Sequence, residues 1–182
     1  TYKIVKGTMD HAEKQRVYSA TEHLTSIPIY VCDTFGRTTK QVKAGIRNHP
    51  GGLDMAIIDY FQLMKGSNRG YKDRRIELGE ISMELKQLAI SLNIALIIVA
   101  SLSRASEKRE DKEPQLSDLY ETGQLEYDLD LALMLHRPEM NKTDGDKTRT
   151  NLFVRKQRDG ATGKIELKFV PEFVRFEPNP KF

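Results

Sequence analysis

The sequence predicts an α/β fold, with a mostly parallel sheet flanked by helices and antiparallel hairpin strands toward the C-terminus. Continuous apolar runs at 55–58 and 94–100 have the length and composition of strands buried on both faces of a parallel sheet. After residue 150, apolar and polar residues alternate, which is typical of hairpin strands. Between the two apolar runs, large apolar residues recur at spacings near those of an amphipathic helix: Ile76, Ile81, Leu85, Leu88 and Leu92.

Local patterns predict the remaining elements. In chain order these are a helix over 11–24, a strand over 27–33, a short helix over 38–46, a turn over 48–52, and strands over 129–136, 151–158, 165–170 and 173–176. Asn93 is expected to end the helix that begins near Ile76. Cys32, near a strand end, is expected to be a small buried apolar residue. No repeat or low-complexity linker interrupts the chain, which we interpret as one domain over 1–182.

Composition narrows the class of protein. The 182 residues are 38% hydrophobic and 30% charged, as in a soluble globular domain with a sizeable core. The net charge of +3 permits a nucleic-acid partner without requiring one. A single cysteine excludes an intrachain disulfide and predicts a reducing compartment, so we expect a cytoplasmic protein with no membrane partner. The start at Thr1 is typical of the interior of a longer protein.

The most informative position is Asp59, which directly follows the apolar run at 55–58. An α/β sheet binds its ligands at the carboxyl ends of its strands, and an ionised carboxylate there needs a cation or hydrogen-bond donors. In nucleotide-driven motors that cation is Mg²⁺ on the triphosphate, and this arrangement is the Walker B pattern. The alternative is that Asp59 caps a helix or anchors a loop.

Four segments follow Asp59 in a fixed order. They are SLSRASEKR at 101–109, DKEPQLSDLYETG at 111–123, EYDLD at 126–130 and KQRDGATG at 156–163. This succession closely resembles the C-terminal, RecA-like motor domain of the DnaB-type replicative DNA helicases. The resemblance extends from about Gly7 to Phe176, and four motifs in the right order and spacing make it specific.

The resemblance implies a homohexameric ring that translocates on single-stranded DNA, unwinds duplex DNA and hydrolyses ATP with Mg²⁺ at subunit interfaces. It also implies a primase and a helicase loader as partners. Asp59 takes the place of the family's magnesium residue, acting through water. Lys156, Gln157 and Arg158 match the nucleotide-binding motif whose two cations reach a neighbour's nucleotide.

Elementary chemistry supports such a role for Lys156 and Arg158. Phosphoryl transfer spreads negative charge over the terminal oxygens, and a cation placed there stabilises the transition state. Residues two apart on a strand point to the same side, so both cations can meet one phosphate group. The alternative is an ordinary solvated strand face.

Two segments match the family's DNA-binding loops. Residues 65–75 hold five basic residues, two glycines and one tyrosine, a composition that suits a mobile loop contacting the DNA backbone; Arg69, Lys72, Arg74 and Arg75 are the candidates. The second segment contributes Tyr120, Glu121 and Gly123. Relatives usually have an arginine at the first of these positions, whereas a tyrosine can hydrogen-bond or stack on a base. A plain polar loop before a helix is the alternative for 65–75.

Two departures from the family pattern concern the nucleotide. Most relatives have a serine followed by a phosphate-sensing glutamine where this chain has Ala100-Ser101, and the shorter Ser101 hydroxyl would need a bridging water. The chain also has no G-x-x-x-x-G-K-[ST] loop, because residues 160–164 have the wrong spacing and predict a hairpin turn. We therefore expect a fragment truncated at its N-terminal side, with the phosphate loop and catalytic glutamate upstream, and inactive alone.

Other functions stay open at this point. A RecA-type recombinase or a clock-type ATPase shares the core but usually lacks the Leu-Ser-Asp-Leu-x-Glu-x-Gly segment at 116–123. A degenerate homologue that binds DNA without turnover is compatible with Ser101 and Tyr120. An intact phosphate loop and catalytic glutamate encoded upstream of Thr1 would favour the motor.

Overall fold

The computed structural model of the chain describes residues 2–34, 36–68, 70–103, 107–119, 123–140 and 142–179. The helices are α1 (Tyr2–Lys6), α2 (His11–Thr25), α3 (Thr39–Arg47), α4 (Arg74–Leu92) and α5 (Gly123–Asp128). The strands are β1 (Met55–Ile58), β2 (Ala95–Ile98), β3 (Leu131–His136), β4 (Arg149–Gln157), β5 (Gly163–Val170) and β6 (Arg175–Pro178). The predicted α/β class and the order of its main elements are confirmed.

The strands form two sheets. Strands β1 and β2 pair in parallel, with Met55 opposite Ala95 and Ile58 opposite Ile98. Strands β3 to β6 form an antiparallel sheet in chain order. The turn between β4 and β5 covers 158–162, so the last two residues of the turn predicted over 160–164 already belong to β5. Because β1 and β2 run in the same direction and in register, the residues that follow them lie at the same edge.

Helix α4 is the centre of the core. Asp73 caps its N-terminus by accepting a hydrogen bond from the Arg75 N–H, and Asn93 ends it in the left-handed conformation, as predicted. Its buried apolar stripe packs with the inward side chains of the parallel pair and with α3 and α5; the stripe consists of Leu78, Ile81, Leu85 and Leu88. Each such buried side chain contributes roughly 1.5–3 kcal/mol to stability. None of the described helices combines the length and apolarity needed to cross a bilayer.

The prediction that β1 and β2 are buried on both faces is wrong. Ile58, Leu96 and Ile98 pack toward α4, whereas alternate residues point away from it. Ile57 is 64% exposed, and Met55 and Ile97 are exposed with it. An uninterrupted apolar run does not reveal how many faces are covered, and the described residues cover one.

The predicted strand over 27–33 is also wrong. These residues have no regular secondary structure, and Cys32 is exposed rather than buried. A strand needs a neighbouring backbone to satisfy its N–H and C=O groups, and no described strand pairs with this segment. The last strand also starts two residues later than predicted, because residues 171–174 form a turn before β6.

Candidate nucleotide-binding and DNA-binding site

Asp59 lies directly beyond β1, at the edge where β2 also ends. The Val99 N–H donates to the Ile58 carbonyl at 2.9 Å, and the Phe61 N–H donates to the Val99 carbonyl at 2.8 Å, so the two chain segments leave the sheet together. The Asp59 side chain is exposed and forms no hydrogen bond or ion pair with the described parts of the chain. An unpaired carboxylate at a strand end is available to a ligand, and no cap or anchor role is observed.

Ser101 is held at the same edge by Gln62. The Ser101 N–H donates to Gln62 Oε1 at 3.2 Å, and Gln62 Nε2 donates back to the Ser101 carbonyl at 3.0 Å. This amide pair ties the residue after β2 to the segment after Asp59. Sequence reasoning missed Gln62, because only the tertiary fold brings it against a residue 39 positions away.

The donor set at this edge suits Mg²⁺. Magnesium keeps several waters and binds through one or two carboxylates together with substrate phosphates, rather than in a cage of protein ligands. Asp59 offers one such carboxylate. Within the described ranges, no group of three or more histidine, cysteine or acidic residues is placed to hold a metal by itself. A single carboxylate of this kind suits an ion that is also bound by nucleotide phosphates and water.

Lys156 and Arg158 both reach the short segment 126–130. Lys156 Nζ donates to the carbonyl oxygens of Glu126 and Tyr127 at 2.6 and 3.3 Å, at the C-terminal end of α5. Arg158 is 53% exposed, and its Nε lies 3.3 Å from Asp130 Oδ1. In this structure each cation binds a different group of its own chain, and their meeting at one phosphate group stays a prediction. Gln157, the last residue of β4, is exposed beside them.

The Asp130 carboxylate pairs with Arg158 and with Lys86. Lys86 on α4 donates to its carboxylate. That hydrogen bond, together with the charges of Lys86, Arg158 and Lys156, outweighs desolvation and lowers the pKa of Asp130. Asp130 therefore stays ionised near neutral pH and holds Arg158 against its own subunit. It lies inside the EYDLD motif, but its sequence position alone gave no indication of this contact.

The described residues of the basic segment 65–75, for which composition predicted a mobile loop, make several hydrogen bonds with α4. The Gly66 N–H donates to Glu77 Oε1 at 2.8 Å, and the Tyr71 hydroxyl donates to Glu80 Oε2 at 2.6 Å. The Tyr71–Glu80 hydrogen bond raises the pKa of Tyr71. Ser67 Oγ donates to Glu84 Oε2 at 3.2 Å. Three glutamates on one side of α4 thus fasten the segment to the central helix.

The basic residues of this segment differ in what they bind. Arg74 donates to the carbonyls of Gln62 and Met64 at 3.0 and 2.7 Å and pairs with Glu77. Desolvation raises the Glu77 pKa, but the Gly66 N–H, Arg74 and the charge of Lys65 outweigh it and lower the pKa. Arg75, by contrast, has a 64% exposed side chain whose nearest acid is Asp73 at 3.5 Å. Lys72 is also exposed, and Arg69 lies outside the described residues.

An open cleft of about 500 Å³ connects the two predicted DNA-binding segments. It lies between α4 and the start of α5, and its lining includes Arg75 and Gly123. Among the described residues, nothing lies within 4 Å of where a Gly123 Cβ would be, which leaves space for a ligand beside this backbone. Tyr120 and Glu121 lie outside the described residues. The fold therefore brings together two predicted contacts from separate parts of the sequence.

A buried carboxylate organises the chain just before Tyr120. Asp118 is 1% exposed, and both its oxygens accept hydrogen bonds from Arg109, one of them at 2.9 Å. The Gln115 N–H donates to the same carboxylate at 2.8 Å. The hydrogen bonds and charge of Arg109 hold the pKa of Asp118 below its usual range. Asp118 belongs to the LSDL motif, yet its burial became clear only from the fold.

The chain matches the family model described as the DnaB-like helicase C terminal domain over residues 1–178. It is 35% identical over 173 residues to the replicative DNA helicase DnaC of Bacillus subtilis, an alignment covering 93% of this chain and 38% of that protein. It is 37% identical over 156 residues to the replicative DNA helicase DnaB of Geobacillus stearothermophilus, covering 84% of this chain and 34% of that protein. The chain thus spans little more than a third of these relatives.

Two solved structures have the same fold. One, described as an ATPase domain, superposes with a TM-score of 0.87 at 30% identity, over 98% of this chain and 65% of the other. A DnaB-like replicative helicase, described with its interactions with primase, superposes with a TM-score of 0.84 at 30% identity, over 94% of this chain and 42% of the other. Both support a RecA-like ATPase fold. This chain therefore belongs to the family of DnaB-like helicase C-terminal domains.

Proposed function

We propose that this chain is the RecA-like motor domain, over 1–182, of a hexameric ATP-dependent replicative helicase that translocates on single-stranded DNA and unwinds duplex DNA. The observation that carries the proposal is Asp59, exposed and without a partner among the described residues, at the carboxyl edge of the parallel strands where Ser101 is also held. A family match alone gives the ancestry, whereas this edge offers one part of the chemistry of ATP hydrolysis, a carboxylate placed to meet Mg²⁺. The match also favours a helicase over a recombinase or a clock-type ATPase.

In this proposal Asp59 holds Mg²⁺ through its water shell, together with the phosphates of ATP. Magnesium would neutralise charge on the phosphates while the transferred group passes to water. Ser101 would approach the terminal phosphate through a bridging water, because its side chain is short. Asp59 supplies the negative charge that fixes the ion, and the Gln62 amide pair keeps Ser101 in place.

Lys156, Gln157 and Arg158 would act on the nucleotide of a neighbouring subunit. Arg158 is suited to this because it is half exposed and its contact with Asp130 is a surface ion pair, of the kind that contributes about 0–1 kcal/mol. A phosphate group carries more charge than one carboxylate and can displace that contact. Lys156 would have to leave the α5 carbonyl oxygens to follow it.

DNA would lie along the cleft between α4 and α5. Arg75 is an exposed cation in its lining, Lys72 is exposed on the segment that leads to it, and Gly123 lines the same cleft from α5. We extend the proposal to Arg69, Tyr120 and Glu121 on the basis of the sequence motifs. Arg74 would position the loop, since its donors already bind backbone carbonyls. A primase and a helicase loader are the further partners we propose.

Subunit mixing tests the assignment of Arg158 in a full-length helicase that carries this chain. Arg158→Ala subunits should bind ATP but hydrolyse it poorly. Mixing them with subunits whose phosphate loop is inactivated should restore some turnover, because a few interfaces then combine an intact site with an intact arginine. Arg149→Ala is the matched control, since Arg149 is a half-exposed arginine at the other end of β4.

Two outcomes would contradict the proposal at different levels. If exchanging hexamers recover no activity at any mixing ratio, Arg158 does not act on the neighbouring subunit. If the unmodified full-length protein neither hydrolyses ATP in response to single-stranded DNA nor unwinds duplex DNA, the helicase assignment itself fails. In that case the non-hydrolysing, DNA-binding homologue becomes the better interpretation, and a DNA-binding measurement would identify it.

A further inference from the structure

Arg155 occupies a β-bulge in the strand that ends just before Arg158. Across the β3–β4 pair, Ala132 is opposite Lys156 and Leu133 is opposite Val154, so Arg155 is the extra residue of β4. Bulges change the direction of a side chain and are frequent next to active sites. Here the Arg155 guanidinium lies 4.1 Å from the centroid of the Phe153 ring and extends to the segment 107–119.

Arg155 binds the part of the chain that comes shortly before the predicted DNA-binding residues. Its Nε donates to the Pro114 carbonyl at 2.6 Å, and its Nη2 donates to Glu113 Oε2 at 3.2 Å. Two residues later in the chain begins the 3-10 helix Leu116–Asp118, whose buried Asp118 is bound by Arg109. The backbone bridge between Leu102 and Leu119 closes this segment immediately before Tyr120.

Lys156, the next residue of β4, binds the part of the chain that comes after those residues. Lys156 Nζ binds the carbonyl oxygens of Glu126 and Tyr127, near the end of the helix that starts at Gly123. Arg155 and Lys156, two consecutive residues of β4, therefore bind the chain before and after the predicted DNA contacts, which are Tyr120, Glu121 and Gly123. Arg158, the predicted contact to the neighbour's nucleotide, comes two residues after Lys156 on the same backbone.

We propose that Arg155 is a positioning residue that couples DNA contact in the cleft at Gly123 to the placement of Lys156 and Arg158. The inference rests on the proposed function. Energetic coupling between two sites can be carried by a chain of packed side chains and hydrogen bonds. Arg155 provides one, because a shift of Glu113 and Pro114 on DNA binding is transmitted through the guanidinium to the bulge, and so to the last residues of β4.

The test measures how strongly single-stranded DNA stimulates ATP hydrolysis in the full-length helicase. In Arg155→Ala, we expect the ratio of kcat with saturating DNA to kcat without DNA to fall by at least about fivefold, the lower range of measured coupling. Basal kcat should stay within about twofold, because Arg155 contacts no nucleotide in this scheme. Arg149→Ala is the matched control and should retain the full ratio, since Arg149 pairs instead with Glu139 and Glu166.

Two further variants separate coupling from folding. Glu113→Gln removes one ion pair but leaves the Pro114 hydrogen bond and the Phe153 stack, so it should lower the ratio in part at an unchanged melting temperature. Arg155→Lys keeps a cation that can reach only one of the two partners, and it should give an intermediate ratio. If Arg155→Ala fails to fold, these two variants decide the question.

The outcomes are distinguishable. Full stimulation in Arg155→Ala, or in both milder variants, would overturn the coupling role while leaving the helicase assignment intact. An equal loss of basal and stimulated turnover would show that Arg155 only supports the fold, and would also overturn it. Absence of DNA-stimulated hydrolysis in the unmodified protein would instead refute the proposed function on which the inference rests.

Discussion

Two aspartates, Asp59 and Asp118, lie in regions that differ in how a charged side chain is surrounded. At the edge beyond β1, Asp59 is exposed and has no partner among the described residues. In the segment 107–119, Asp118 is 1% exposed and each of its oxygens accepts a hydrogen bond. A buried carboxylate without partners would be costly, whereas an exposed one keeps its water and can exchange it for a ligand.

The difference teaches how to sort charged residues in the absence of a ligand. Charges whose hydrogen-bonding capacity is used within the chain maintain structure, and those left open are the better candidates for substrate or DNA. The same contrast separates Arg74, bound to carbonyl oxygens, from its exposed neighbour Arg75. Replacing Asp118 or Arg74 should therefore lower the stability of the fold, and replacing Asp59 or Arg75 should lower activity or DNA binding.

The largest expected effect is on stability. Asp118→Asn leaves the Arg109 guanidinium without its counter-charge, and loss of a hydrogen bond between charged groups costs about 1.5–3 kcal/mol. Urea denaturation of the 182-residue chain should show this loss as a lower midpoint with a similar slope. The equivalent change at Asp59 is the control and should leave the midpoint nearly unchanged. Equal midpoints for the Asp118 variant and the unmodified chain would break the comparison.

The rate of ATP hydrolysis should instead depend on Asp59. Asp59→Asn in a full-length helicase carrying this chain removes the charge that would order the magnesium water shell. Loss of one such electrostatic stabiliser costs roughly two orders of magnitude in kcat, while the nearly isosteric amide preserves the fold. Steady-state ATPase assays at saturating ATP and Mg²⁺ measure the effect. Turnover near that of the unmodified protein would contradict the assignment of Asp59 to the metal.

The paired arginines extend the comparison to DNA. Changing Lys72 and Arg75 together to alanine should flatten the dependence of log K on log salt by roughly 0.7 for each lost phosphate contact. Arg74→Ala should leave that slope unchanged and instead lower the denaturation midpoint, because its donors bind Gln62 and Met64. Salt titration of binding to a labelled oligonucleotide measures both. A flattened slope in Arg74→Ala would place Arg74 on the DNA.

The smallest effect concerns pH. The pKa values of Asp118 and Asp130 lie below their usual range in the folded chain. Their contribution to stability is therefore present above the unfolded aspartate pKa, near about 3.9, and is lost as pH falls through the folded values. Unfolding free energies measured from neutral pH downward should decline below about pH 4. The decline should be shallower in Asp118→Asn, and an identical profile would argue against the ionised pair.

Much of this organisation follows from local pattern. The helical spacing of apolar residues located α4, the left-handed preference of asparagine located its end at Asn93, and the apolar runs located β1 and β2. The predictions that failed depend on which segments of the chain become neighbours in the fold. Residues 27–33 have the composition of a strand but no described backbone to pair with, and the apolar run at 55–58 could not report that one face is uncovered.

The candidate site was predictable to a similar degree. Asp59, Ser101 and the pair Lys156 and Arg158 stand in recognisable motifs, and Arg75 and Gly123 do meet along one cleft. The residues that hold these positions were not predictable. The Gln62 amide pair, the Asp130 contacts and the bulge at Arg155 each depend on chain segments that become neighbours only in the fold.

The attachment of the segment 65–75 to α4 has a mechanical consequence. A loop joined only at its ends is compliant, and a pull on its tip is absorbed by changes in its own backbone dihedral angles. Here Glu77, Glu80 and Glu84 fasten the loop along successive turns of a helix that is itself packed in the core. Under the proposed function, a force applied by DNA at Arg75 would pass directly to that helix. The segment would then deform less than a free loop, and more of the displacement would reach the core.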